Sequence, residues 1–324
     1  MVGSMAALVL GPWSLVLGAR RRRDSNRSSS LPDDAQPPRQ ELRTQDPGPR
    51  TKDLRYDGRM ARDLAGRTVA ITGASAGIGA ACARACAGRG MHVALAARRA
   101  DRLARLADEL RTTSRMAIPV IADVTSEADM HRLAGEAAQT TGRLDVMICN
   151  AGIGYHGALE DTPVEIVRHL MDVNLLGSLH AARAALPLFR SQGSGHLVFV
   201  SSIVGRRGLP LYSAYCATKF AQAGLAEALR TELAGSGIHV SVVFPISTDT
   251  EFREVMVRDF GRRVGGLGPR QSAEQVADAI VRCLTRPRAE VYPHRLSRLL
   301  PVLNAMAPAV GDRIMRRFTR HRRS

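Results

Sequence analysis

The sequence is poorest in lysine, in aromatic residues and in long apolar runs, and each shortage removes a class of protein. Only Lys52 and Lys219 carry an ammonium side chain, so arginine supplies nearly every cation. Aromatic residues are 4% of the 324 positions, too few for the stacking platforms of a single-strand nucleic-acid binder. No eighteen consecutive residues are apolar, which excludes a polytopic membrane protein. The five cysteines (Cys82, Cys86, Cys149, Cys216, Cys283) are odd in number and include no C-x-x-C pair. That argues against a disulfide framework or a zinc knuckle and for a reducing, cytoplasmic setting. No spaced cluster of His, Cys and Asp is available as a metal ligand set.

What remains is ample for a core. Apolar residues make up 45% of the chain, and the stretch after the polar first sixty suits one large α/β domain or two small ones, which length alone does not decide. The formal charge is +16, concentrated at the ends. Arg20 to Arg23 form one cluster, and residues 291–324 hold eight arginines against one acid, Asp312. Such ends meet phosphates or anionic headgroups, or they are solvated tails of an arginine-biased chain; composition leaves both open. Residues 1–60 read as a tail. The apolar run from Met5 to Leu17 is broken by Gly11, Pro12 and Ser14, and Arg20 to Arg23 follow it. This looks like a weak targeting peptide or a short anchor, and a misplaced start codon gives the same pattern. Residues 31–50, with five prolines, read as linker.

From Arg67 the pattern changes. Strands are expected over 68–72, 91–96, 116–121, 145–149, 196–201, 238–244 and 289–292, with helices over 77–89, 101–113, 126–141, 164–191, 213–234 and 273–284. Strand, helix and strand repeated this often means parallel pairing with right-handed crossovers, hence an α/β, doubly wound parallel sheet of about seven strands with helices on both faces, in a single domain. Runs such as Val146-Met147-Ile148-Cys149 are continuously apolar, as strands covered on both faces are. Pro119 places the third strand at an edge, where a missing N–H costs no ladder bond; the order 3-2-1-4-5-6 puts it there.

The first strand runs into Thr72-Gly73-Ala74-Ser75-Ala76-Gly77-Ile78-Gly79 and then a helix. Glycines here let the backbone turn sharply and approach a pyrophosphate, which the helix N-terminus attracts through its free N–H groups. At the tip of the second strand an acid would bind a ribose 2′-hydroxyl; Ala97 stands there and Arg98 follows, which favours the 2′-phosphate of NADP(H) over NAD. Asp123, after the third strand, either meets the adenine amino group or serves the turn.

Three features fall at the carboxyl ends of later strands: Asn150-Ala151-Gly152, Val200-Ser201-Ser202, and Tyr215-Cys216-Ala217-Thr218-Lys219 opening the next helix. Tyr215 and Lys219, at i and i+4, share a helical face. A tyrosine ionises near pH 10; an ammonium close by, beside an oxidised nicotinamide, is expected to pull that value down so that the phenol exchanges a proton with a carbonyl or alcohol oxygen. A serine hydroxyl holds the same oxygen.

With these motifs in order, Gly66 to about Tyr292 resembles the short-chain dehydrogenase/reductase family, a Rossmann-like fold. The resemblance implies that Thr72 to Gly79 (with Gly73, Ser75, Gly77, Ile78 and Gly79), Asp123, and Asn150 with Gly152 bind the dinucleotide. It also implies a catalytic tetrad of Asn174, Ser202, Tyr215 and Lys219, with Lys219 doubling as a ribose ligand. Asn174 rests on the resemblance alone. The family's P-G-x-V-x-T is replaced here by Pro245-Ile246-Ser247-Thr248-Asp249-Thr250, leaving Thr250 in register for the nicotinamide amide. Homo-oligomerisation through the helices at 164–191 and 213–234 is likewise implied.

The expected activity is NADP(H)-dependent interconversion of a carbonyl and a secondary alcohol. Ile203 to Leu211 and Ser247 to Pro269 frame the substrate, with Gly154, Tyr155, His156 and Leu209 shaping the pocket. The Leu- and Val-rich rim suggests an apolar substrate, lipid-, steroid- or retinoid-like. His156 reads as a rim or surface residue. Leu296, Leu299, Leu300 and Leu303 repeat at helical spacing among arginines. Residues 293–324 therefore read either as a basic amphipathic extension that lies on a membrane or closes the pocket, or as an extra helix packed on the body. The expected partition is a tail at 1–60, an oxidoreductase domain at 61–292 and this extension. Two other classes stay in play: a catalytically silent dinucleotide-binding scaffold, and a peripheral membrane or nucleic-acid binder working through its arginine tails, without specific nucleic-acid recognition.

Overall fold

The structure, a computed structural model, describes residues 61–112, 116–252 and 269–320. The tail at 1–60 and the glycines Gly261, Gly265, Gly266 and Gly268 of the substrate-framing segment lie outside the described residues.

In chain order the elements begin with β1 (Thr68–Thr72), α1 (Gly77–Ala87), β2 (His92–Ala97), α2 (Ala100–Arg111), β3 (Ala117–Ile121), α3 (Glu127–Thr141) and β4 (Val146–Cys149). They continue with α4 (Val164–Met171), α5 (Gly177–Gln192), β5 (Gly195–Val200), α6 (Ser213–Glu232) and β6 (Ile238–Val243). Last come β7 (Thr248–Asp249), β8 (Gln271–Ser272), α7 (Ala273–Thr285), β9 (Glu290–Val291), α8 (Leu299–Met306) and α9 (Pro308–Arg320). Seven strands form one parallel sheet in the order β3-β2-β1-β4-β5-β6-β9, and β7 pairs with β8 separately. This is the doubly wound arrangement expected from the alternation of elements.

Side-chain direction along the strands divides the core in two. Val69, Ile71, Val93 and Leu95 face α1, α2 and α7, whereas Ala70, Ala94 and Ala96 face the side covered by α3, α5 and α6. Residues of both sets are fully or almost fully buried, which explains the unbroken apolar runs. Pro119 pairs across to Leu95 from β3, the edge strand, and is exposed.

Two expected elements come out differently. The helix expected over 164–191 is interrupted by a π turn at Asp172–Leu176 between α4 and α5. The wider turn carries Asn174, whose side chain bonds the backbone of Ile153 instead of facing a helix groove. The seventh strand shrinks to Glu290–Val291, because Pro293 follows and cannot donate to a ladder.

One close approach depends on a missing side chain: a Cβ at Gly195 would lie 2.2 Å from the fully buried Phe189 ring. Because the ring fills that gap, Phe189→Ala is expected to destabilise the protein by about 3–5 kcal/mol. Urea unfolding measures this, and a loss below about 1 kcal/mol would remove Phe189 from the core.

Candidate active site

Ligands in open α/β sheets bind beyond the carboxyl ends of the strands, and the predicted residues collect there. Gly73 (φ +68°) and Gly77 (φ +53°) adopt left-handed backbone that a side chain would strain. A Cβ at Gly73 would lie 2.9 Å from the Cα of Ala151, and one at Gly79 would lie 2.2 Å from the carbonyl oxygen of Gly73. The turn is therefore folded against itself and against the end of β4. Thr72 Oγ1 accepts from the N–H groups of Asn150 (3.0 Å) and Ala151 (3.1 Å), and Asn150 Nδ2 donates to the carbonyl of Thr72 at 2.9 Å. The residue before α1, Ala76, offers no capping side chain, and no acid lies in the first turn. The N–H groups of that turn are thus left for an anion. The Ile78 side chain packs on the core. The Thr250 side chain stands over Gly77, where a Cβ would be 3.1 Å from it.

At the tip of β2 the two arginines diverge. Arg98 is largely exposed and pairs with Asp123 at 3.7 Å. Arg99 turns inward: its Nε and Nη2 donate to Ser75 Oγ at 3.2 and 3.0 Å. The sequence alone singled out Arg98 and missed Arg99; two adjacent arginines give no periodic signal to separate them. Asp123 serves the turn, accepting from the N–H and hydroxyl of Thr125, both at 2.9 Å.

The other end is built on α6 and the π turn. Lys219 is buried and donates to the carbonyl of Val200 (3.1 Å) and to Gln222 Oε1 (2.8 Å). Gln222, fully buried, donates in turn to the carbonyl of Asn174 at 2.7 Å and to Ser178 Oγ at 2.7 Å. Asn174 Oδ1 accepts from Ile153 N–H at 2.8 Å, while its Nδ2 donates to Ile153 carbonyl (2.9 Å) and Thr218 Oγ1 (3.0 Å). Gly152 leaves the space this requires: a Cβ there would be 3.1 Å from Asn174 Oδ1 and 3.5 Å from Lys219 Nζ. Gln222 was not foreseen, although it sits at i+7 from Tyr215 and so on the same helical face.

Lys219 Nζ lies 5.7 Å from the centre of the Tyr215 ring. The electrostatics differ from expectation. The protein's own groups raise the Tyr215 phenol above its ordinary value, chiefly by burial, with the Ser202 hydroxyl acting in the opposite sense. Burial likewise lowers Lys219 from 10.5 to about 7. In the protein alone burial therefore dominates at the phenol, and the Lys219 donors are directed at Val200 and Gln222. Gly154, Tyr155 and His156, expected to shape the substrate pocket, are buried, and His156 meets Tyr212 edge-on at 4.8 Å instead of lying on the surface. The Tyr215 ring faces Phe252 at 5.9 Å. All five cysteines are buried free thiols, and among the described residues no group of His, Cys, Asp and Glu is placed to hold a metal.

The family model described as short chain dehydrogenase matches residues 67–259. The chain belongs to the short-chain dehydrogenase family. An uncharacterized oxidoreductase YxnA of Bacillus subtilis is 32% identical over 87% of this chain and 79% of that one. An alcohol dehydrogenase from the archaeon Thermococcus sibiricus, solved complexed with 5-hydroxy-NADP, is 29% identical with a TM-score of 0.61, covering 70% of this chain and 95% of the other. A short chain dehydrogenase/reductase from Burkholderia phymatum, solved in complex with NAD, is 26% identical with a TM-score of 0.69, covering 77% and 96%. Oxidoreductase chemistry is the class of reaction this family membership assigns to the chain.

Between pH 7 and 10.5 the unfolded chain carries a proton at Lys219 that the folded chain lacks. The burial penalty is thus complete below pH 7 and is relieved as pH rises, so this group makes stability increase with pH. Lys219→Met removes that contribution. Relative to wild type, its stability is expected to rise less steeply between pH 7 and 8.5, by up to about 1.4 kcal/mol per pH unit. Urea unfolding across that range measures the slopes, and parallel lines would contradict a neutralised, buried amine.

Proposed function

We propose that the chain is an NADP(H)-dependent oxidoreductase that interconverts an apolar carbonyl compound and its secondary alcohol, with Tyr215 as general acid and base. The observation that carries this reading is the convergence, at the carboxyl ends of the strands, of a glycine-rich turn with an uncapped helix end and a tyrosine beside a buried lysine. The turn fits a dinucleotide because Gly73, Gly77 and Gly79 let the backbone fold tightly against the end of β4 and Thr250, leaving the uncapped start of α1 to meet its phosphates. Gly73, Ser75, Gly77, Ile78 and Gly79 would hold its phosphates, Arg98 and Asp123 its adenosine end, and Asn150, Gly152, Lys219 and Thr250 its nicotinamide half. Bound there, the dinucleotide supplies or removes hydride. The absence of an acid at Ala97, with Arg98 and Arg99 next to it, supports NADP(H) over NAD. Solved relatives carry both kinds of dinucleotide, so the preference is our own reading.

Tyr215 Oη gives a proton to the substrate oxygen in reduction and takes one back in oxidation. Ser202 Oγ orients that oxygen and acts on the phenol. Lys219 binds the ribose and is held in place by Gln222, which ties it to the Asn174 carbonyl. Asn174 positions the 153 loop that borders the substrate. Apolar residues exposed on and beside the helices, Val164, Leu176 and Phe220, support association of subunits. Tyr215→Phe is expected to lower kcat by at least about a hundredfold while NADPH still binds. Turnover assays of carbonyls and alcohols with NADPH and NADH, paired with cofactor titration, test this. A variant keeping full turnover would remove Tyr215 from the chemistry, and turnover of polar sugars alone by the wild type would contradict an apolar substrate.

A second reading concerns residues 293–324, and exposed side chains favour it. Leu296, Leu299, Val302, Leu303, Met306 and Val310 are all exposed, and α8 buries none of its residues. Arg295, Arg298, Arg313 and Arg316 are exposed beside them, and Arg207 tethers the pair of helices to the substrate-framing loop through Asn304 and Asp312. An apolar face flanked by arginines suits the surface of an anionic bilayer. Among the described residues no helix is long and apolar enough to cross one. Replacing Leu299 and Leu303 by glutamate in the full chain is expected to abolish co-sedimentation with phosphatidylserine-containing liposomes. Equal sedimentation of variant and wild type would leave the extension as a packed appendage.

A further inference from the structure

The carboxylate of Glu251, just after β7, is held by two arginines that reach it from a distant part of the chain. Arg102 Nη1 donates to both its oxygens at 2.6 Å, and Arg99 Nη1 donates to Oε2 at 3.2 Å. The same Arg99 binds Ser75 through its other nitrogens, so the carboxylate is linked through one guanidinium to the glycine-rich turn. Thr250 fixes where Glu251 starts, since its side chain stands against Gly77. Beside this fork a recess of about 320 Å³ is lined by Ser75, Arg84, Arg102 and Arg105. Arg84 is already committed to Glu109 at 2.7 Å and Arg105 to Asp101 at 2.8 Å, which leaves Arg99 and Arg102 as the fork that Glu251 occupies.

We propose that Glu251 is a cofactor-specificity residue: it sits in the arginine fork that the adenosine 2′-phosphate of NADP(H) requires, and by competing for it keeps the site open to NAD(H) as well. This rests on the dinucleotide reading above. Ordinarily an acid that selects a ribose 2′-hydroxyl stands at the tip of the second strand, but Ala97 has no donor or acceptor side chain and is buried. Here the acid arrives from the segment after β6. A 2′-hydroxyl can donate to the Glu251 carboxylate where it is. A 2′-phosphate, an anion itself, is repelled by it and binds Arg99 and Arg102 only after displacing it. Displacement is cheap, because Glu251, Arg99 and Arg102 are each about 40% exposed and solvent screens such pairs. Glu251 is charged at neutral pH: the hydrogen bond from Arg102, foremost, holds its carboxyl below the usual range.

Fluorescence titration of the full chain with NADPH and with NADH, at one ionic strength, tests the assignment in wild type, Glu251→Gln and Arg102→Ala. Glu251→Gln is expected to tighten NADPH roughly fivefold, the equivalent of about 1 kcal/mol, and to leave NADH unchanged or weaker. Arg102→Ala is expected to weaken NADPH more than NADH. An unchanged NADPH to NADH ratio in Glu251→Gln, with the variant unfolding at the wild-type temperature, overturns the role of Glu251 while the dinucleotide reading stands. Wild type that binds neither dinucleotide overturns both.

Discussion

A lysine amine taken out of water is the constraint on which the candidate site depends. Lys219 is held near neutrality by burial, and its hydrogens are directed at Val200 and Gln222. A buried amine needs such acceptors, since an unsatisfied one is expensive. Meeting that need joins three separate elements: the end of β5, the face of α6 and the π turn. Gln222 passes the connection to the Asn174 carbonyl, and the Asn174 side chain passes it to the loop at Ile153. The geometry around Tyr215 is therefore set by backbone carbonyls that cannot easily move.

The anion-binding edge follows a different logic. There the protein presents an uncapped helix start, a glycine-rich turn and a row of arginines. Its charges are half-exposed and paired with acids on the surface, so they can be exchanged for those of a ligand at little cost. A rigid buried network at one end and a half-exposed ionic cluster at the other suit the two duties proposed for them, since proton transfer needs fixed distances and cofactor choice needs competing charges.

Much of this was legible in the residues because it is local. Alternation of short apolar runs with helical spacing gave the sheet, and Pro119 alone gave its edge. The glycine turn and the pairing of Tyr215 with Lys219 are each contained within eight residues or fewer, where spacing translates directly into geometry. The π turn was not legible, since its cause is the bond between Asn174 and a loop some twenty residues earlier. Nor was the division of duties between Arg98 and Arg99, which depends on where Ser75 and Asp123 end up.

Sequence by itself determined the layered fold and the placing of the glycine turn and the Tyr215–Lys219 pair at the carboxyl ends of the strands, because period, turn chemistry and residue type act over a few neighbours. Tertiary structure alone decided the proton affinities and the partners. Burial raises the Tyr215 phenol, and Glu251 meets Arg102 across 149 positions. Desolvation and Coulomb energy depend on what surrounds a group in space, and that is known only once the chain has closed on itself.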